Sequence, residues 1–265
     1  MNPLVYPTVL IAVLLFVAGL RFQGRITSGR HRLALSALAV LLAVPGVLIA
    51  LYYLHLFDNA AWFYEFRSLR FSELSAGGCG LLAGLLAAAG RDVFVAALLL
   101  IGLMVGIVLP HSKPLYGPLQ PGDFKDARKD AVCLQSTGCS CGAASAATLL
   151  RQAGIPATEA EVARACFTYE GGTENWYLAR HLRSRGLRVR FITRLDPSAP
   201  LPVPSIAGVL LGKVGHFIPI LANTETTYIT GDPLHGREEW AKDLIREHYT
   251  FTGFFMTVEG GHGPP

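Results

Sequence analysis

Charge is what this sequence has least of. Asp, Glu, Lys and Arg make up 16% of 265 residues, against roughly 25% in ordinary soluble proteins. Apolar residues make up 51%, and the mean hydropathy is +0.40. A chain so poor in charge is neither disordered nor a coiled-coil rod. Cysteines are few, and the five at 79, 133, 139, 141 and 166 are odd in number and irregular in spacing, which excludes a disulfide framework. There is no internal repeat and no low-complexity tract. The net charge of +4 is dispersed, with no basic stripe carrying interleaved aromatics, so nucleic acid is not an expected partner. A nucleotide-binding phosphate loop is missing too. The stretch 208–214, Gly-Val-Leu-Leu-Gly-Lys-Val, has one intervening residue too few and Val where Ser or Thr is needed.

The charge that exists is unevenly spread. Residues 1–110 hold seven Arg, two Asp and two Glu, whereas 111–265 hold 31 charged residues. The first part reads as a membrane region and the second as a soluble domain. A span needs about 20 apolar residues. Four are expected, at 3–20, 33–54, 75–90 and 93–109, with Pro45-Gly46 as a kink in the second and Arg91-Asp92 as a tight turn between the last two. Segment 55–74 mixes charges with aromatics, which suits an interface. The Gly/Ala-rich third run (Gly77, Gly78, Gly80, Gly84) permits close helix packing. No Asp, Glu, Lys, Arg or His lies inside a run, so no ion or proton pathway is expected. A signal peptide over 1–20 is disfavoured because no basic segment precedes the apolar run. Five Lys/Arg on one side of such a topology face six on the other, so the positive-inside rule does not orient it.

Residues 111–130 read as a linker, and 131–260 as a domain in which helices precede strands. Helices are expected at 141–152, at 158–166 behind the capping pattern Thr158-Glu-Ala-Glu161, at 174–184 capped by Thr173 and ended by Gly186, and at 238–248. Strands are expected at 187–193, 204–211, 216–221, 226–230 and 253–259. The pattern is α+β with an antiparallel sheet.

Chemistry concentrates in this half. Cys141 falls at the first turn of a helix, where the dipole and free N–H groups favour a thiolate. Gly142 and Ala143 leave room for close approach of a substrate. Gln135 can aim an amide N–H at an oxyanion beside the nucleophile. On its own this stretch suits a small buried cysteine slightly better. His216 opens one apolar strand and Asp232 closes the next, so adjacent strands can bring both to one end of the sheet. His216 would then deprotonate Cys141, with Asp232 orienting the imidazole. Cys133, Cys139 and Cys141 lack a zinc spacing; a regulatory disulfide and mere proximity both remain open.

Taken together, these residues resemble the double-glycine leader peptidase family of papain-like cysteine peptidases. Gln135 with Cys141-Gly142-Ala143, Gly171-Gly-Thr173 with Leu178 and Leu182, Gly215-His-Phe-Ile-Pro-Ile and Gly231-Asp-Pro-Leu-His-Gly236 match its pattern in order, over roughly 130–260. The residue before the nucleophile, often Asp in that family, is Ser140 here. The resemblance implies Cys141 as nucleophile, His216 as base and then acid, Asp232 as orienter and Gln135 as oxyanion donor. Peptide hydrolysis through a thioester, after a Gly-Gly leader of an exported peptide, would follow, with no cofactor and no metal. The expected fold is an α-helical multi-span membrane region followed by an α+β papain-like peptidase domain. Expected partners are a peptide substrate, the lipid bilayer and a separate exporter, since the chain carries no ATPase. A free nucleophilic thiol favours a reducing compartment, and the resemblance also implies the cytoplasmic side. The alternative is a catalytically silent domain of the same fold that binds peptides for a secretion system.

Overall fold

The computed structural model describes residues 2–25, 28–90 and 93–260. The chain divides into two compact units. The first comprises Met1–Asp58 with Arg70–Lys113, and the second Asn59–Leu69 with Pro114–Pro265. This differs from a single boundary near residue 110, because a short segment from the apolar half belongs with the second unit.

In the first unit α1 (Val5–Arg25) and α2 (Gly29–Tyr52) are long apolar helices. Among the described residues, these two are long and apolar enough to cross a membrane. A third span arises only if α3 (Ala61–Ser68) and the following segment Ser72–Ala88 count as one broken span. The expected span at 75–90 is a 3-10 helix, Ser72–Gly78, leading into a ten-residue helix α4, Cys79–Ala88. At 1.5 Å per residue, ten helical residues reach about 15 Å, half of a hydrocarbon core. Residues 93–109 lie in α5 (Val93–Tyr116); the Arg91-Asp92 turn lies outside the described residues. α2 runs through Pro45 as one helix.

The glycines of the third run do permit close packing. A Cβ at Gly80 would collide with the Ala12 carbonyl, one at Gly84 with that of Phe16, and one at Gly78 with that of Leu42. Backbone therefore lies directly on backbone, where any side chain must push the helices apart. Gly80→Val is expected to separate α4 from α1 and to lower the melting temperature of the detergent-purified chain. Gly102→Ala, whose added carbon meets nothing, is the control expected to leave it unchanged.

The second unit is α+β. It holds β1 (Arg128–Lys129), β2 (Val132–Cys133), α6 (Cys141–Gln152), α7 (Glu159–Ala165) and α8 (Asn175–Ser184). The strands β3 (Arg188–Ile192), β4 (Ser205–Leu211), β5 (Val214–Asn223), β6 (Thr227–Asp232) and β7 (Gly236–Ala241) follow. A one-turn α9 (Ile245–His248) and β8 (Thr250–Glu259) close the unit. The six-stranded sheet has the order β3-β8-β4-β5-β6-β7 and is antiparallel throughout. Its core packs Ala207, Val209, Ile218, Ile220, Tyr228, Ile245 and Phe255.

Within the stretch 111–130, α5 continues to Tyr116, Pro118 bridges Tyr169, and the Glu170 N–H donates to the Gly117 carbonyl. Two expectations for this unit are corrected. The helix expected at 238–248 is β7 followed by α9. Its residues are good helix formers, but Glu238 pairs with Thr230 and Trp240 with Tyr228 across β6, and sheet pairing overrides local propensity. Thr173 does not cap α8; its hydroxyl pairs with that of Thr168 at 2.7 Å, and Glu174 holds the cap position. The capping box at Thr158 and Glu161 forms as expected, and Gly186 takes φ +91° past the end of α8.

Candidate active site

α6 is held flat on β5. Its buried small residues Ala143, Ala144, Ala146 and Ala147 keep the helix close to the sheet. Polar ties then fix its register: the Ser145 hydroxyl donates to the Phe217 carbonyl at 3.0 Å, and the Gln152 amide to that of Leu221 at 2.9 Å. This places Cys141, the first residue of α6, beside His216 near the start of β5. Gly142 and Ala143 do not open space for a substrate. A Cβ at Gly142 would face Leu178, Phe217 and Thr173, and Ala143 is fully buried. Gly142 serves the packing of the helix start against the domain.

His216 Nε2 donates to Asp232 Oδ1 at 3.0 Å, with both side chains buried. The Cys141 side chain lies near enough to the same imidazole to raise its pKa. Since Nε2 is taken by Asp232, Nδ1 is the nitrogen left to face the sulfur. Burial pushes the His216 pKa down, but the Asp232 hydrogen bond first, then the neighbouring Cys141 and the Asp232 charge, prevail and raise it to about 9. Burial pushes Asp232 up, yet the hydrogen bonds from His216 and the Leu234 N–H, with the charges of His216 and His235, hold it below the usual carboxylate range.

Gln135 sits in the loop between β2 and α6. Its backbone N–H donates to the Pro233 carbonyl at 2.9 Å, so the loop is tied to the residue after Asp232. Its side-chain Nε2 donates to the Thr137 carbonyl at 2.8 Å, while Oε1 is buried without a hydrogen-bond partner. The Thr137 turn is closed by Ser140, whose hydroxyl accepts from the Thr137 N–H and donates to the Thr137 carbonyl, both at 3.1 Å. Ser140 thus spends its side chain shaping the approach to Cys141.

Several residues around Asp232 carry no signal in the sequence. The Tyr249 hydroxyl lies 2.6 Å from Glu238 Oε2 and 3.2 Å from Asp232 Oδ2. It has one proton to give, and the shorter contact takes it. Burial and the Glu238 hydrogen bond push the Tyr249 pKa upward. His235 Nδ1 approaches Asp232 Oδ2 at 3.3 Å. Tyr249 and Glu238 come from β8's lead-in and from β7, so only the folded sheet joins them to Asp232.

All five cysteines are free. Burial, with the negative charges of Glu159 and Asp126, pushes the Cys133 thiol up to about 12, so it stays a neutral thiol. Among the described residues, no group of three or more His, Cys, Asp or Glu could hold a metal.

The model of the Peptidase C39 family matches residues 129–261. An uncharacterised protein of Methanothermobacter marburgensis is 34% identical over 138 residues, covering 52% of this chain and 94% of that protein. Another, from Methanothermobacter thermautotrophicus, is 32% identical over 130 residues, covering 49% and 89%. Among solved structures, the peptidase domain of Streptococcus ComA, a bifunctional ABC transporter of a quorum-sensing pathway, is similar with a TM-score of 0.42. It is 21% identical, over 48% of this chain and 96% of that one. A double glycine motif protease from an AMS/PCAT transporter, in complex with the leader peptide, is similar with a TM-score of 0.42. It is 20% identical, over 49% and 90%. From β1 to the end of β8, where the sheet and the Cys141 helix lie, the chain belongs to the Peptidase C39 family.

Proposed function

We propose that this protein is a membrane-anchored cysteine peptidase that cleaves after a double-glycine-type leader of an exported peptide. The observation that carries the reading is the buried His216–Asp232 pair at 3.0 Å, with Cys141 at the head of α6 acting electrostatically on the same ring. The Cys141 thiolate attacks the scissile carbonyl carbon, and the carbonyl π electrons move to oxygen. The oxyanion accepts from the second Nε2 hydrogen of Gln135 and from the Cys141 backbone N–H, which at the first helical residue has no acceptor within the helix. His216, as imidazolium, gives its proton to the leaving amine, the C–N bond breaks and a thioester remains. His216 then takes a proton from water, hydroxide adds to the thioester, and the acid product leaves with regeneration of the thiolate. The Gly-Gly preference rests on the motif resemblance. The apolar helices α1 and α2 anchor the peptidase in the cell membrane beside a separate exporter, with the catalytic half on the cytoplasmic side, consistent with free thiols in a reducing compartment.

The test uses the full chain in detergent with reporter peptides carrying Gly-Gly before the scissile bond, alongside iodoacetamide labelling of Cys141 followed by peptide mapping. Cleavage lost in Cys141→Ala, with rapid labelling at neutral pH lost in His216→Ala, is the expected result. Slow labelling in both forms, with peptide bound but not cut, would transfer the reading to the catalytically silent, peptide-binding alternative; cleavage that survives Cys141→Ala would remove Cys141 as the nucleophile. Labelling of Cys141 by an impermeant thiol reagent in intact cells would place the site on the other side of the membrane.

A further inference from the structure

We infer that Glu159, at the start of α7, is a positioning residue that sets the oxyanion-donating loop of this site. The inference rests on the proposed role of Gln135. Glu159 is fully buried, and its carboxylate hydrogen-bonds to Ser136 and to none of Cys141, His216 and Asp232. A carboxylate is costly to bury unless its oxygens are met by donors, and here one residue meets both. The Ser136 N–H donates to Glu159 Oε1 at 2.8 Å, and the Ser136 hydroxyl donates to Oε2. The same hydroxyl accepts the Lys125 N–H at 2.8 Å.

Ser136 is the residue after Gln135. Three consecutive residues of the loop are therefore clamped from different directions. The Leu134 N–H is bound by the Ala127 carbonyl at 2.8 Å, the Gln135 N–H by the Pro233 carbonyl at 2.9 Å, and the Ser136 N–H by Glu159. Only the last clamp is a side chain, and only it uses a charge, which makes the hydrogen bonds shorter and stronger than neutral ones. It fixes the backbone on which the Gln135 amide turns. A donor displaced by a fraction of an ångström loses most of its value to a developing oxyanion. In Glu159→Gln the amide oxygen can keep the Ser136 N–H, but the charge is lost and the bond to the Ser136 hydroxyl becomes a weaker neutral one in which the amide donates.

The experiment uses the full chain in detergent and p-nitrophenyl acetate, whose carbonyl carbon the Cys141 sulfur attacks to form an acetyl thioester with release of p-nitrophenolate. Glu159→Gln and Ser136→Ala are expected to slow acylation about 10- to 100-fold, less than or equal to the roughly 10²–10³-fold typical of losing an oxyanion donor outright. Alkylation of Cys141 by iodoacetamide, a displacement that develops no carbonyl oxyanion, is expected to keep its wild-type rate and pH profile. Glu159→Gln added to Gln135→Ala is expected to cost nothing further, because both changes remove one function. Wild-type acylation in Glu159→Gln and Ser136→Ala would overturn the inference, as would a further loss in the Gln135→Ala background or an equal fall in alkylation. Nitrophenolate release at the wild-type rate from Cys141→Ala would instead sink the peptidase reading, and this inference with it.

Discussion

Replacing Asp232 by Asn is expected to lower kcat/KM for peptide hydrolysis by about three to four orders of magnitude, the scale seen when the orienting carboxylate of a catalytic triad is neutralised. The buried ring of His216 would by itself titrate low. Its pKa of about 9 is maintained by the Asp232 hydrogen bond first, then by Cys141. Asn can accept through its carbonyl oxygen but carries no charge, so the imidazolium loses its main support. The alkaline limb of the activity profile should therefore move from about 9 toward the ordinary histidine value of ~6.5. A sign follows for stability as well. His216 is raised in the fold, so its contribution is complete below ~6.5 and fades as pH climbs through about 9. Asp232 is lowered, so its contribution is complete above ~3.9 and fades as pH falls through its folded value. Stopped assays across pH, with melting temperatures on the same samples, check both. An alkaline limb left in place by Asp232→Asn would remove Asp232 from the mechanism.

Tyr64→Ala is expected to destabilise the second unit by about 3–5 kcal/mol, the usual cost of truncating a buried aromatic. For a unit of this size that is about 10 °C in melting temperature. Tyr64 is 5% exposed. Its ring lies 5.5 Å from that of Phe191 and 5.6 Å from that of Phe254, edge-on to the latter. Phe254 in turn lies 5.9 Å from Phe217, which follows His216. The helix bearing Tyr64 also caps the sheet. Glu65 accepts the Phe191 N–H at 3.1 Å on edge strand β3 and pairs with Arg183 at 2.6 Å, while the Asn59 carbonyl accepts the Thr193 hydroxyl at 2.9 Å. An open edge would otherwise invite pairing with other chains. Thermal melts, with limited proteolysis to report on the second unit, provide the measurement. A Tyr64→Ala chain that melts with the wild type would mean α3 is bound loosely or not at all in solution.

α3 also marks a boundary of what local pattern can reveal. Its charges among aromatics read as an interfacial segment, and neither Phe191 nor Arg183 can be connected to it by spacing. The same holds for β7. Arg237, Glu238, Glu239, Trp240 and Ala241 have helical propensities, and their alternation becomes meaningful only opposite β6. By contrast, α6 was readable to the residue as Cys141–Gln152, because small residues on one face and Gly154 beyond the end are local signals. The capping box of α7 is contained within four residues.

The candidate site divides along the same line. Cys141, His216 and Asp232 were legible because each sits at the end of an element that its neighbours announce, and the fold brings the three together. Glu159, Tyr249 and Glu238 were not, since a buried carboxylate and a buried hydroxyl look like surface residues until their partners are known. Composition and periodicity alone pointed to an apolar half with long helices and an α+β half, while the joint arrangement of motifs and their family resemblance pointed to the candidate site residues. Tertiary structure decided which segment completes the second unit, which nitrogen of His216 faces Asp232, and which charge holds the Gln135 loop. The physical reason is range. Periodicity, caps and turns act within a few residues. Register, burial and the pairing of buried charge depend on groups apart in sequence, from 11 residues for Glu238 and Tyr249 to 134 for Asn59 and Thr193.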